Sequence, residues 1–249
     1  MKTTGIFVLI VLASTINYAQ VFRGGFGYGF SGPWVMSDVQ LYDELNAPNL
    51  LGSNLQQSYF GYAQGGGGYV LLANRILFGG TGFSSTASDI TPRGQVTMKM
   101  GGGIGQIGYL ILNKNRWLAF PYLGMGRNDI TMKLRNNTSN NIFDLGNLEV
   151  LPGETMELRA KTVDFDIGFT MQHLVFRHYG KYRSSGFMVG LQAGTYAFVG
   201  VEDWHIKYET NQISGLLSKP SVFMPYFRIT IGGGGFRTIN KDEASLPRR

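Results

Sequence analysis

Apolar and polar residues alternate along residues 159–176, and this pattern predicts a β-strand, in which successive side chains point to opposite faces. One face carries Val163, Phe165, Ile167, Phe169 and Met171. The other face carries Thr162, Asp164, Asp166, Thr170 and Gln172. A soluble β-sandwich produces the same alternation and is the rival interpretation. A closed membrane barrel requires an apolar outer face and a polar interior, so we interpret the strand as part of such a barrel.

Seven further segments show strand patterns bounded by turn residues, which predicts an all-β chain. The eight predicted strands cover residues 22–30, 59–72, 75–85, 95–112, 116–135, 157–177, 184–200 and 222–236. Short and long connections alternate, as in an antiparallel up-and-down transmembrane barrel with periplasmic turns and surface loops. Ten strands is the alternative, because 143–151 and 204–210 have strand character; we interpret these two segments as loop hairpins or strand extensions. A short helix is expected within 37–45.

The phase of each strand predicts which residues face the lipid. In the first strand Phe22, Phe26, Tyr28 and Phe30 are expected outside, and in the fifth Ile130, Met132 and Leu134. The seventh strand is expected to expose Phe187, Val189, Leu191, Ala193 and Val199, and the last Phe223, Phe227, Ile229 and Ile231. In the fourth strand the apolar phase changes between Met100 and Ile107, which predicts a β-bulge near Gly105.

The opposite phase of these strands places charges in the lumen. The expected lumenal network is Arg23, Lys99, Arg127, Asp129, Lys133, Asp164, Asp166 and Arg228. The first and last strands pair when the barrel closes, so Arg23 and Arg228 would join the other charges. An eight-stranded barrel is just wide enough for its side chains to fill it, which favours a charge-plugged lumen. A selective pathway or ligand cavity is the alternative.

Composition and the amino terminus indicate the compartment. Residues 1–19 have the layout of a secretory signal peptide, with Lys2 before the apolar run 6–13. The remainder is expected to form one barrel domain, 20–236, and a polar periplasmic tail, 237–249. The chain has 36 glycines, 13% aromatic and only 15% charged residues, and no cysteine, which excludes disulfides and thiolate metal sites. The formal charge of +6 is scattered, which argues against a nucleic-acid partner.

Three features of the sequence could carry chemistry, and none predicts a catalytic residue, cofactor or metal. Residues 103–108 match the dinucleotide fingerprint, with Asp129 at the expected spacing, but no helix pattern follows to hold a pyrophosphate. His205 lies near Glu202 and Asp203 in a surface loop, with Ser214 and Ser218 as conceivable nucleophiles, but their spacing matches no defined motif. No two of the three histidines have a ligand-like spacing on one face.

The last predicted strand, 223–236, resembles the carboxy-terminal targeting strand of outer-membrane barrels, with alternating apolar residues ending in an aromatic. The chain after residue 19 resembles small Gram-negative outer-membrane barrels of the OmpX or OmpW general class, in pattern and topology. This resemblance implies a porin-like cell-envelope protein inserted by the barrel-assembly machinery, in contact with outer-membrane lipids and lipopolysaccharide. Arg159 and Lys161, in the lipid-facing phase near the surface end, are the expected lipopolysaccharide contacts.

Three functions are consistent with these patterns. The first is a non-enzymatic integral barrel with a structural or surface-interaction role. The second is passage of a small or hydrophobic solute across the outer membrane. The third is a lipid-modifying outer-membrane enzyme that would use His205. The sequence identifies neither a surface ligand nor an oligomeric state.

Overall fold

A computed structural model describes residues 20–36, 39–47, 50–51, 59–72, 75–114, 116–144, 149–179, 183–206, 217, 219 and 223–240. The predicted signal peptide and Ser214 and Ser218 lie outside these residues. The elements are β1 (Gln20–Met36), α1 (Val39–Leu45), β2 (Tyr59–Leu72), β3 (Ile76–Ile90), β4 (Gly94–Tyr109), β5 (Leu112–Lys114), β6 (Trp117–Asn136), β7 (Phe143–Asp144), β8 (Glu149–Val150), β9 (Thr155–Tyr179), β10 (Arg183–Val201), β11 (His205–Ile206) and β12 (Phe223–Asn240).

Eight long strands form a closed antiparallel barrel, which confirms the predicted fold. The strand order is β1, β2, β3, β4, β6, β9, β10, β12, and β12 pairs back with β1 from Gln20↔Asn240 to Trp34↔Tyr226. In the two segments considered for a ten-stranded barrel, the described residues form only short accessory strands. β11 extends the sheet beside β9 through His205↔Arg159, and β7 and β8 form a separate hairpin. Closure leaves no long free edge, as a membrane barrel requires.

The surface end of the barrel is covered by a small cap, formed by α1, residues 50–51 and the β7–β8 hairpin. Leu45, Leu51 and Phe143 of the cap are buried in one apolar cluster with Val96 and Leu134 of the barrel wall. The helix lies within the predicted segment 37–45. At the other end β12 continues to Asn240, four residues into the predicted polar tail 237–249. No helix of the described residues has the length and apolarity needed to cross a membrane.

The facing of β9, β10 and β12 agrees with the sequence pattern. Phe165, Ile167 and Phe169 of β9 are exposed on the outer wall, while Asp164 and Asp166 are fully buried. In β10 and β12 the outward apolar residues are likewise exposed, and Gln192, Tyr226 and Arg228 point inside. On this side of the barrel, bulky apolar side chains therefore form the outer wall.

The facing predicted for β1 was wrong. Phe26, Tyr28 and Phe30 are buried in the interior, and Gly27 and Gly29 are exposed on the outer wall. Inward-facing glycines on β2 make room for these rings: a Cβ on Gly67 would lie 2.9 Å from the Tyr28 hydroxyl. Aromatic rings fill the interior here because neighbouring inward positions carry no side chain.

The facing predicted for β6 was also wrong, and the bulge predicted near Gly105 is absent from β4. Ile130, Met132 and Leu134 are completely buried. The pairing of β4 with both neighbours is continuous, and the described register shifts lie between β9 and β10. The physical reason is a change of surroundings along the strand. Towards the surface end the outer wall faces a polar medium and the interior lies under the cap, so the apolar face becomes the inner one without any change in backbone phase.

Candidate functional site: the barrel interior and the outer wall

A hydrogen-bonded layer crosses the interior, formed by Tyr69, Gln106, Tyr122, Asp166, Tyr226 and Arg228 and called here the polar layer. Asp166 accepts hydrogen bonds from Gln106 Nε2 and from the Tyr226 hydroxyl, both at 2.6 Å. The Tyr69 hydroxyl donates to Gln106 Oε1 at 2.6 Å, and the Tyr122 and Tyr226 hydroxyls are in contact. These residues come from five strands, so the layer ties opposite walls of the barrel together.

Arg228 is completely buried and is surrounded by aromatic rings. Its Nη2 donates to the Tyr196 hydroxyl at 2.6 Å. Its guanidinium carbon lies 4.0 Å from the Tyr226 ring centroid and 4.3 Å from that of Phe30. Each such cation–π contact stabilises a desolvated guanidinium by about 2 kcal/mol. The ion pairs found among the described residues all lie outside the interior, so aromatic and hydroxyl groups hold this buried cation.

Apolar layers enclose the polar layer on both sides. Towards the periplasmic end the interior is filled by Phe26, Phe120 and Phe236, with centroids of neighbouring rings about 6 Å apart. Towards the surface end lie Met132 and Leu134, both with no exposed area. The polar groups are therefore enclosed by dry packing above and below.

The structure divides the predicted lumenal charge network. Asp164, Asp166 and Arg228 lie in the interior, where Asp164 accepts a hydrogen bond from Asn128. The other charged side chains that the structure describes lie on the outer wall, which corrects the prediction for Lys99, Arg127, Asp129 and Lys133. The side chain of Arg23 is outside the described part of the chain.

These four residues were misplaced because the periodicity gives the phase of a strand but not the medium outside it. The prediction also missed Tyr69, Gln106 and Tyr122 as members of the interior network. These three residues stand in the inward phase of β2, β4 and β6. Bulky apolar residues occur in both phases of β6, such as the buried Met132 and the exposed Leu123, so the pattern does not fix which phase is inward.

Charged groups on the outer wall lie near the surface ends of β4, β6 and β9, beyond an apolar belt. The belt includes Val70, Phe78, Ile107, Leu123, Ile167, Phe169, Leu191, Phe227 and Ile229, all exposed. Arg159 donates to Asp129 at 3.3 Å, and Lys133 pairs with Glu157 at 3.1 Å. Lys161 is exposed directly across from Asp129. Arg159 and Lys161 thus lie on the outer wall.

Of the residues considered for catalysis, Glu202, Asp203 and His205 lie in the described part of the chain, and Ser214 and Ser218 lie outside it. The His173 ring lies 4.4 Å from the Trp117 ring, and His205 pairs through its backbone with Arg159. Within the described ranges no three histidine, aspartate or glutamate residues are grouped to hold a metal ion. The fingerprint-like residues 103–108 lie inside β4, with no helix after them to hold a pyrophosphate.

Comparison with protein-family models and with curated proteins found no match. Among solved structures, Ail, the attachment invasion locus protein of Yersinia pestis, crystallised with the heparin analogue sucrose octasulfate, is 9% identical with a TM-score of 0.41, covering 87% of this chain and 99% of that one. Neisserial surface protein A is 10% identical with a TM-score of 0.34, covering 86% and 96%. The outer-membrane protease OmpT of Escherichia coli is 10% identical with a TM-score of 0.30, covering 88% and 96%.

At these identities and scores the three structures carry no information about activity or ligands of this chain. Its class follows from its own strand pairing and from the chemistry of its two faces. A closed eight-stranded sheet with an apolar belt outside and a dense polar and aromatic interior defines a bacterial outer-membrane β-barrel.

Proposed function

We propose that this chain is a sealed, non-enzymatic outer-membrane barrel with a structural or surface-interaction role. The observation that supports this is the polar layer, which is closed by direct side-chain hydrogen bonds and enclosed between apolar layers. Eight strands leave an interior just wide enough to be filled by side chains. An ion crossing such an interior would have to be desolvated against Met132 and Leu134, which offer no compensating polar contacts.

Single-channel conductance in planar bilayers tests the seal. We expect no steady conductance from the folded wild-type chain. The double substitution Tyr122→Ala and Tyr226→Ala removes two rings and the hydroxyl partner of Asp166, and we expect it to admit ions. Phe227→Ala is the matched control, since it removes a ring next to Tyr226 from the outer face. Steady conductance by the wild type would contradict the proposal.

Solute passage is the second candidate, and one observation favours it. Several buried polar atoms on β9, β10 and β12 make no hydrogen bond to another group of the protein: Thr170 Oγ1, Gln172 Oε1, both amide atoms of Gln192, and Nε and Nη1 of Arg228. Gln192 lies directly across from both Thr170 and Arg228, so these groups form one polar strip inside the wall. Buried polar atoms normally have partners, so such a strip favours contact with a polar solute. Uptake of small sugars into vesicles that contain the barrel separates this function from the sealed barrel.

The lipid-modifying enzyme is tested by mass spectrometry of lipid A from cells with wild-type chain, His205→Ala or no chain. We expect the three lipid profiles to be identical. A modification that depends on His205 would replace the non-enzymatic proposal.

Insertion by the barrel-assembly machinery and contact with outer-membrane lipids belong to the same proposal. The contact with lipopolysaccharide is assigned to Arg159 and Lys161 because both lie on the outer wall at the surface side of the apolar belt. Cations at such a boundary attract the phosphate groups of anionic headgroups.

A further inference from the structure

Two rows of glycine cross the outer wall from β1 to β4 and leave it without side chains. One row is Gly27, Gly68, Gly80 and Gly105, and the other is Gly29, Gly66, Gly82 and Gly103. We call this area the glycine trough. From the usual spacing between strands and between residues along a strand, the trough is about 15 Å long and its two rows are about 7 Å apart. Val70, Phe78 and Ile107 border it on the periplasmic side.

Packing within the barrel does not explain several of these outward glycines. A Cβ on Gly29 or Gly82 would meet its nearest heavy atom at 3.7 Å, and one on Gly103 at 3.9 Å, which are ordinary contacts. A shallow, open depression lies at the surface side of the trough, lined by Gly29 and Gly82 of the trough and by Ser31, Gln64 and Ser84.

The trough ends at a cluster of cations. Gly103 pairs with Arg127 of β6, which takes the next position in the row. Lys161 of β9 is the diagonal cross-strand neighbour of Arg127. Residues in this relation lie about 7–8 Å apart. Lys99 of β4 lies further along the same face. We call Lys99, Arg127 and Lys161 the cation cluster.

The cation cluster has one carboxylate beside it, Asp129, which lies directly across from Lys161. The side chains of Lys99, Arg127 and Lys161 make no ion pair or hydrogen bond within the ranges that the structure describes. The nearby carboxylate, Asp129, accepts a hydrogen bond from Arg159 at 3.3 Å. The cluster therefore carries three positive charges beside one carboxylate that Arg159 already contacts, at the border between the apolar belt and the polar outer wall, where phosphate groups of membrane lipids lie.

The slope of the strands carries the trough towards the surface. Residues that pair from strand to strand form a row around the barrel. The row that starts at Ser31 of β1 passes through β2, β3, β4 and β6 and reaches Lys161 on β9. Followed in the other direction, through β12 and β10, the same row reaches Met171, also on β9. Lys161 is nearer the surface end of β9, so rows rise from β1 towards β6. The glycine trough thus runs obliquely from within the apolar belt up to the cation cluster.

From this arrangement we infer that the outer wall holds one phosphorylated glycolipid of the lipid A type, with an acyl chain in the glycine trough and a phosphate at the cation cluster. The inference rests on the proposed outer-membrane barrel and replaces Arg159 by Arg127 and Lys99 as phosphate ligands, since Arg159 is paired with Asp129. A second copy of the chain fits less well, because two such faces in contact would bring their cation clusters together.

The test uses the full chain, folded in detergent, with purified bisphosphorylated lipid A, its dephosphorylated form and phosphatidylglycerol as probes. Native mass spectrometry measures the fraction of barrels that carry one lipid. For the wild type we expect bisphosphorylated lipid A to bind about tenfold more tightly than either other probe, the ratio given by a single good charged contact. The double substitution Arg127→Gln and Lys161→Gln should abolish the preference for phosphate. Gly82→Leu, which fills the trough, should weaken binding of both forms of lipid A.

Two matched controls separate these effects from general changes to the wall. Lys133→Gln removes a cation that is already paired with Glu157, and Ala193→Leu adds the same side chain on β10 outside the trough; both should bind as the wild type does. Altered mobility of unboiled protein on a denaturing gel verifies folding of each variant. Folded trough and cation variants that bind like the wild type would overturn the inference. Equal binding of phosphatidylglycerol would overturn the choice of lipid A. Conductance would overturn only the sealed barrel, and lipid binding would still be measurable.

Discussion

Replacing Gly102 by alanine should destabilise the barrel strongly, whereas the same change at Gly103 should not. The two glycines are neighbours in β4 and differ in the face they occupy. A Cβ on Gly102 would overlap the carbonyl oxygen of Arg127 and the side chain of Asn128. A Cβ on Gly103 would meet only the Thr81 carbonyl oxygen, at 3.9 Å.

The magnitudes follow from these contacts. Forcing a methyl group into a filled interior costs about 1–3 kcal/mol. Moving Asn128 also breaks its hydrogen bond to the buried Asp164 carboxylate, worth about 1.5–3 kcal/mol. We therefore expect Gly102→Ala to lower the free energy of unfolding by at least about 2 kcal/mol. Gly103→Ala restricts the unfolded chain and meets no obstruction, so we expect a change within about 1 kcal/mol, in the stabilising direction.

Equilibrium unfolding by urea in lipid vesicles, followed by tryptophan fluorescence, measures both values. Trp34 and Trp204 are buried and report the interior, whereas Trp117 reports the outer wall. Midpoints are comparable only where the slopes of the transitions agree. Equal destabilisation by the two substitutions would refute the facing of β4 described here, and with it the outward position of the trough glycines.

Three further changes test the cap and the outer wall. Asn136→Ala removes side-chain hydrogen bonds of 2.7 and 2.8 Å to loop carbonyls, so proteolysis within 137–144 should accelerate while gel mobility of the unboiled barrel is unchanged. Leu45→Ala leaves a cavity in the cap core and should cost about 2–5 kcal/mol locally, seen as faster amide exchange in α1 only. Lys133→Gln breaks a partly exposed pair with Glu157 and should lower the free energy of unfolding by no more than about 1 kcal/mol; a larger loss would contradict its position on the outer wall.

The sequence predicted the strand count and the facing of β9, β10 and β12 because these strands keep one polarity along most of their length. In β9, for example, the apolar Ile167 is exposed on the outer wall and the polar Asp166 is buried inside, at the centre of the belt. The predicted facing was wrong for β1 and for the surface half of β6. Tyr28 is large and apolar in character, yet it fills the interior because the adjoining inward positions are glycine.

The candidate sites were predictable only in part for the same reason. Asp166 and Arg228 stood in the inward phase of strands with bulky outward residues, and the structure places both inside. The interior tyrosines and the outer position of Arg127 depend on where a strand leaves the apolar belt. That depth is set by the tilt and register of neighbouring strands, which no single segment encodes.

What the sequence determined by itself is a set of local properties: period-two alternation, turn positions, the lack of cysteine and the excess of glycine. These restrict the chain to β-structure without disulfides, because a strand's phase and a turn's chemistry are fixed by adjacent residues. The tertiary structure decided which glycines lie inside the barrel next to aromatic rings and which lie on the outer wall. It also decided which charged residues lie on the same side of the wall. Those outcomes arise from the register between paired strands, since the four pairings from β1 to β6 place Gly29 and Arg127, about a hundred residues apart in the sequence, in one continuous row.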